Sequence, residues 1–393
     1  MNSIRQIEVI YDNRPVGRMA LSKDGLCAFE YSNEWLNSGF SISPFELPLR
    51  QGVFIAKPRP FEGGFGVFDD CLPDGWGLLV LDRYLQKKGV NPRTLTLLDR
   101  LAIVGSTGRG ALEFRPDRSV ISDREYVDFE KMALEAEQIL DSEEYRGDGI
   151  EEFQYRGGSP GGARPKIFAR HEGKEWLVKF RAKADSPNIG KEEYRYSLLA
   201  KKCGIEMPET RLFEDKYFGV ERFDRTSNGK LHVVSVAGLI GADYRLPSID
   251  YSHIFQVCAA LTHNVSEMKK VYRLMVFNYL IANKDDHAKN FSFIHRDGEW
   301  HFAPAYDLLP SDGINGFRTT SINDKIEPKK EDLFAVAEKS GLDKKEVVEI
   351  FDEMTKLSGG IAPSKTDKNE RYETIQKCVP DCLRGNVCHI DGE

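Results

Sequence analysis

With 393 residues, 40% of them hydrophobic and 11% aromatic, the chain can bury a large core and fill two or three domains. Its 55 Lys and Arg against 62 Asp and Glu leave a formal charge of -7, which disfavours nonspecific binding of the whole chain to nucleic acid or anionic membrane. The opening MNSIRQIEVIYDN lacks a signal-peptide core and no apolar run is long enough to span a bilayer, so a cytoplasmic protein without membrane contact is expected.

Residues 4–31 alternate apolar and polar positions in RQIEVIYD, RPVGRMALS and CAFEYS, with turn signals at Asn13 and at Asp24-Gly25, and predict three strands. A Pro- and Gly-rich passage ending in LPDGWG leads into the helical patterns LLVLDRYLQKK and LTLLDRLAIVG and a strand in GALEFRP. Residues 1–116 therefore read as a first α+β unit, and 117–150 as a polar connector. A second unit, 151–226, is predicted as strand FQYR, a glycine-rich turn, a strand, a tight turn at Glu172-Gly173 and another strand. The amphipathic helix KEEYRYSLLAKKCGI and a hairpin ending in YFGVERFDRT follow. Residues 227–393 read as all-helical, through YSHIFQVCAALTH, EMKKVYRLMVFNYLIA, KKEDLFAVAEKSG and DKKEVVEIFDEMTKL. The fold class is α+β, with a β-rich small lobe before a helical large lobe, the coarse architecture of a kinase.

Seven scattered cysteines do not look like a disulfide framework. Cys378, Cys382, Cys388 and His389 raise the question of a terminal zinc site, but C-x3-C-x5-C-H fits no standard knuckle and the spacing argues against it. The chemistry concentrates instead in NYLIANKDDHAKNFSFI, where Asp285, Asp286, His287, Lys289 and Asn290 lie between two apolar runs. Asp285 and Asn290 have the D-x4-N spacing of a kinase catalytic loop, in which the carboxylate accepts a hydroxyl proton and the amide oxygen binds magnesium. Asp307 in FAPAYDLLP would be a second metal ligand, Lys179 in EWLVKFR the phosphate cation, and Glu193 its partner on the next helix. Each signal alone has a plain alternative: a solvated turn at Asp285, an edge-strand lysine at 179, a turn cap at Asp307, a flexible linker at GGSPGG. Their order along the chain makes them reinforce one another. A metal-hydrolase centre of Asp285, His287, His301 and Asp307 is the competing reading.

The motifs SPGGARPK, LVKF, EEYRYSLLAKKCGI, GVERFDR, NKDDHAKNFSF and AYDLLP occur in the order seen in HipA-family serine/threonine kinases, toxins of bacterial type II toxin–antitoxin systems. LPDGWG resembles that family's N-terminal subdomain, so the likeness spans nearly the whole chain. The resemblance implies ATP and Mg²⁺ as cofactors, Asp285 as catalytic base, and Asn290 and Asp307 as metal ligands. It also implies Lys179, Gly161, Gly162, Ala163, His287 and Lys289 around the nucleotide, Glu221 and Phe223 at the adenine, Asp224 near the ribose, and autophosphorylation of Ser159. Implied partners are a HipB-like helix-turn-helix antitoxin, with DNA reached only through it, and a protein substrate such as an aminoacyl-tRNA synthetase. The first unit, lacking phosphate-binding motifs, is expected to dock a partner. A small-molecule phosphotransferase or a catalytically silent binding subunit would share these motifs. Departures lie at Arg164-Pro165 and in TSNGKLHVVSVAGLIGADYR, which stands where many members carry an acidic segment.

Overall fold

The structure is a computed structural model that describes residues 4–120, 126–142, 145, 147–157, 161–360 and 368–379. Strands β1 (Gln6–Tyr11), β2 (Arg14–Leu21), β3 (Cys27–Tyr31), β4 (Val53–Ile55) and β5 (Leu112–Arg115) form an antiparallel sheet in the order β4-β3-β2-β1-β5. Alternation works as expected: Ile7, Val9, Val16, Met19 and Phe29 all turn inward. The β1–β2 turn places Asp12 and Asn13 at φ 47° and 59°, a left-handed pair suited to a tight hairpin. Helix α1 (Gly75–Lys87) and helix α2 (Leu97–Val104) complete the unit, the latter started by a capping box in which Thr96 and Asp99 satisfy each other's N–H groups.

This first unit is not hung on a linker. Its Phe29, Phe68 and Phe114 share one apolar core with Val234, Tyr251 and Phe277 of the C-terminal half. Gly66 is so close to Gly238 that a Cβ there would lie 2.4 Å from the Gly238 carbonyl oxygen.

Helices α3 (Phe129–Asp141) and α4 (Gly149–Gly157) come next, so FQYR is helical, a correction to the strand expected there. The reason is tertiary: Phe153 turns into a second core with Trp76, Ile167, Val178 and Phe180, and its ring meets Trp76 edge-on at 5.0 Å. The small lobe is a four-stranded antiparallel sheet, β6 (Lys166–His171), β7 (Lys174–Lys179), β8 (Thr210–Phe213) and β9 (Tyr217–Glu221), in the order β6-β7-β9-β8. Helix α5 (Ile189–Lys202) packs against β8 and β9.

The large lobe is not all-helical, a second correction. Strands β10 (His232–Ser235), β11 (Ser292–Arg296) and β12 (Glu299–Phe302) form an antiparallel sheet beneath the polar loop. Around it stand α6 (Tyr251–Thr262), α7 (Val265–Leu280), α8 (Lys330–Lys339) and α9 (Lys344–Leu357). Among the described residues, no helix is long and apolar enough to cross a membrane.

Candidate active site

The polar loop connects α7 to β11, and its two adjacent aspartates have opposite fates. Asp286 is fully buried, accepting from Arg318 Nη1 at 2.6 Å and from the Tyr251 hydroxyl at 2.8 Å, while the Thr320 hydroxyl donates to its carbonyl. Asn278 donates to the Tyr251 oxygen at 3.1 Å, Asn283 donates to Asn278 Oδ1 at 3.1 Å, and the Asp285 N–H donates to Asn283 Oδ1 at 3.2 Å. A buried network thus fixes the loop from below and leaves Asp285 exposed above it. The Asn290 amide donates to the Asp285 carbonyl at 2.7 Å, so the D-x4-N pair closes on itself. Partial desolvation raises the Asp285 pKa, and Asp307 raises it further against the opposing charges of His287 and Arg164.

Asp307 adopts a left-handed φ of 60° and receives Lys179 Nζ at 2.8 Å. The same ammonium is paired with Glu193 on α5, a carboxylate only 3% exposed. Lys179 holds the Asp307 carboxyl well below the usual range, against the upward pull of desolvation. In return, against the downward pull of desolvation, Asp307 and Glu193 push Lys179 up to about 12. Strand lysine, helix glutamate and post-strand aspartate are therefore one charged cluster, drawn from three elements distant in sequence.

One cation escaped the sequence reading. Lys166 lies directly opposite Lys179 across the β6–β7 ladder, is 4% exposed, and donates to the Gly161 carbonyl. Like charges facing one another on neighbouring strands are unfavourable. Burial and the Lys179 charge lower the Lys166 pKa to about 8. The signal was present: counting outward from the Glu172-Gly173 turn pairs 171 with 174 and so 166 with 179. Arg164 adds a third positive group, held by Asp185 through contacts of 3.0 to 3.1 Å. Buried Lys166, partly buried Lys179 and Arg164 around a glycine-rich turn are a setting for phosphate oxygens.

Other expected site residues have partners within the protein. Glu221 spends its N–H on the Glu209 carbonyl at 2.8 Å, so any contact with a base there falls on its own carbonyl. The Phe223 ring stacks with Tyr306, centroids 6.1 Å apart. Asp224, expected near the ribose, is buried and accepts from Arg222, Arg225 and the Gly110 N–H, which fastens the hinge to the first unit. His287 accepts from the Lys289 N–H at 3.3 Å and starts the short turn Ala288–Asn290, so it shapes the loop. The Lys289 ammonium turns away to Asp69 at 3.3 Å and Asp74 at 3.1 Å, both from the first unit. Arg109, also from that unit, donates to the Tyr306 hydroxyl at 2.9 Å and the Ser292 hydroxyl at 2.6 Å. The first unit is thus part of the site's frame, more than the docking module expected.

Gly161, Gly162 and Ala163 border this cluster in the turn before β6. Ser159, Cys382, Cys388 and His389 lie outside the described residues. Among those described, no group of three or more His, Cys, Asp or Glu gathers as a metal site, and His301 faces Glu267 at 3.6 Å, so the hydrolase centre does not assemble. The oxygen donors at Asp307 and Asn290 do fit a hard ion such as Mg²⁺, which needs few protein ligands when phosphate and water complete its shell.

Comparison with known proteins places this geometry. The HipA-like C-terminal domain is matched over residues 158–359 and the HipA N-terminal domain over residues 7–115. The chain belongs to the HipA family. Among relatives, Putative kinase Y4dM of Sinorhizobium fredii is 26% identical, with 89% of each chain covered. The serine/threonine-protein kinase toxin HipA of Shewanella oneidensis is 22% identical, covering 77% of this chain and 74% of that protein. The solved complex of Shewanella oneidensis HipA with HipB and its operator DNA matches with a TM-score of 0.69 and 19% identity, covering 95% of this chain and 96% of that one. The chain therefore has the HipA fold from its first sheet to its last helices.

Proposed function

We propose that this HipA-family chain is an ATP- and Mg²⁺-dependent protein serine/threonine kinase of the toxin type. The observation that carries the reading is the Lys179 cluster: one ammonium bound by Glu193 and Asp307, set beside Asp285 and Asn290 on a loop held rigid from beneath. In this reading Asp285, poised upward in pKa, accepts the acceptor hydroxyl's proton as that oxygen attacks the γ-phosphorus and the bond to the β,γ-bridging oxygen breaks. Lys179 and Lys166 bind the phosphates, and Asn290 and Asp307 would hold Mg²⁺, which supplies neutralisation of phosphate charge. Glu193 orients Lys179, and the buried Asp286–Arg318 pair orients the loop.

The comparison with a HipA–HipB–operator complex supports a helix-turn-helix antitoxin as partner, with DNA reached through it; a translation component such as an aminoacyl-tRNA synthetase is the proposed substrate class. Autophosphorylation of Ser159 belongs to the same proposal. Incubation with γ-labelled ATP and cell extract tests it: wild type should transfer label to protein and Asp285→Asn should not. Intact-mass analysis should find phosphate on Ser159 only in the active form. Equal labelling by both proteins would refute Asp285 as the base.

A further inference from the structure

LPDGWG begins helix α1, and its aspartate behaves unusually for a helix start. Asp74 occupies the N-cap position, where a carboxylate normally accepts from its own helix's free N–H groups, a contact that stabilises helices appreciably. Asp74 makes no such contact. Its Oδ1 instead accepts the Gly162 N–H of the glycine-rich turn, and its Oδ2 receives Lys289 Nζ at 3.1 Å. The neighbouring Trp76 N–H donates to the Gly162 carbonyl at 3.0 Å, so both backbone polar groups of Gly162 are held by residues 74 and 76. Gly75 makes this possible: with φ 45°, a Cβ there would sit 2.6 Å from the Gly162 oxygen. Trp76 is anchored against Phe153 in the small-lobe core, and Lys289 stands immediately before Asn290.

We infer that Asp74 is a positioning residue of the phosphotransfer site: its carboxylate links the Gly162 N–H to the Lys289 ammonium and so holds Gly162, at the start of the small lobe, against the catalytic loop. A helix that gives up its own cap to bind a turn from another unit places that acceptor where turn position matters more than helix stability. The first unit thereby acts on the nucleotide cleft directly, through one charge-assisted contact on each side. Naming the cleft as a nucleotide site rests on the kinase reading; the latch itself does not.

Two measurements test it. Hydrogen–deuterium exchange of nucleotide-free protein should show the Gly162 amide exchanging about tenfold faster in Asp74→Ala, the loss of one charge-assisted hydrogen bond, with a smaller increase in Asp74→Asn, which keeps an acceptor. Lys289 keeps Asp69 in these variants, so no ammonium is left buried and alone. In steady-state assays, Asp74→Ala should raise the KM for ATP about tenfold with kcat changed less, because the turn must be ordered at nucleotide expense. Should Asp74→Ala fail to fold, Asp74→Asn decides the exchange measurement alone. Unchanged Gly162 exchange in the folded variants would overturn the latch, as would a fall in kcat at unaltered KM. If wild type binds no ATP, the kinase reading fails while the exchange result still judges the latch.

Discussion

Replacing Lys166 by Met separates the demands of folding from those of binding. The lysine is buried opposite Lys179, with its pKa near 8 against an ordinary 10.5. That gap corresponds to about 3 kcal/mol of cost for the charged form in the folded, nucleotide-free protein. The sign follows from the direction: a lysine with a depressed folded pKa carries this cost fully below pH 8 and sheds it as pH rises from 8 toward 10.5. Lys166→Met should therefore raise the melting temperature at neutral pH by several degrees, the equivalent of up to about 3 kcal/mol less the lost bond to Gly161. Binding should respond oppositely. Phosphate oxygens between the two lysines would return the Lys166 pKa toward its ordinary value, so wild-type affinity should fall about tenfold between about pH 7 and about pH 9. Isothermal titration with a non-hydrolysable Mg-ATP analogue reads this directly. The variant should bind weakly at pH 7 and show a flat profile over that window. A variant that is less stable and equally tight would refute the placement of Lys166 at the phosphates.

Asp307→Ala should weaken Mg-ATP affinity as well as turnover, whereas Asp285→Asn should spare affinity; titration of both variants distinguishes a metal ligand from a base. Asp286→Ala should destabilise the fold by about 3–5 kcal/mol in denaturant unfolding, because it strands a buried Arg318. His232 is buried with its pKa lowered to about 4, chiefly by burial, so its contribution is intact above its ordinary 6.5 and is lost as pH falls from 6.5 toward 4. Acid should therefore cost about 3 kcal/mol through His232 over that window, and His232→Gln should flatten this part of the stability curve.

How much of this was legible depended on the range of the interaction that decides each feature. Strands β1 to β3 follow from alternation between residues two apart, and α5, α7 and α9 from apolar residues three and four apart; such patterns are written locally. Lys179 between Val178 and Phe180, Glu193 on the next helix and the Asp285–Asn290 spacing were readable for the same reason. Even the unexpected β11–β12 hairpin had a local mark in Asp297-Gly298, and the Lys166–Lys179 register followed from one turn. What sequence could not decide was which of two identical charges is buried and what compensates it. Asp285 and Asp286 are chemically the same, and only the approach of Arg318 and Tyr251 sends one inward. Nothing in the sequence marks the partners that Lys289 and Asp224 find in the first unit: Asp69 and Asp74 for one, Gly110 for the other, with Arg222 and Arg225 completing the Asp224 cluster. FQYR became helix because Phe153 found Trp76 across the unit boundary. A buried charge must be compensated by whatever the fold brings beside it, and that partner can lie a hundred or more residues away.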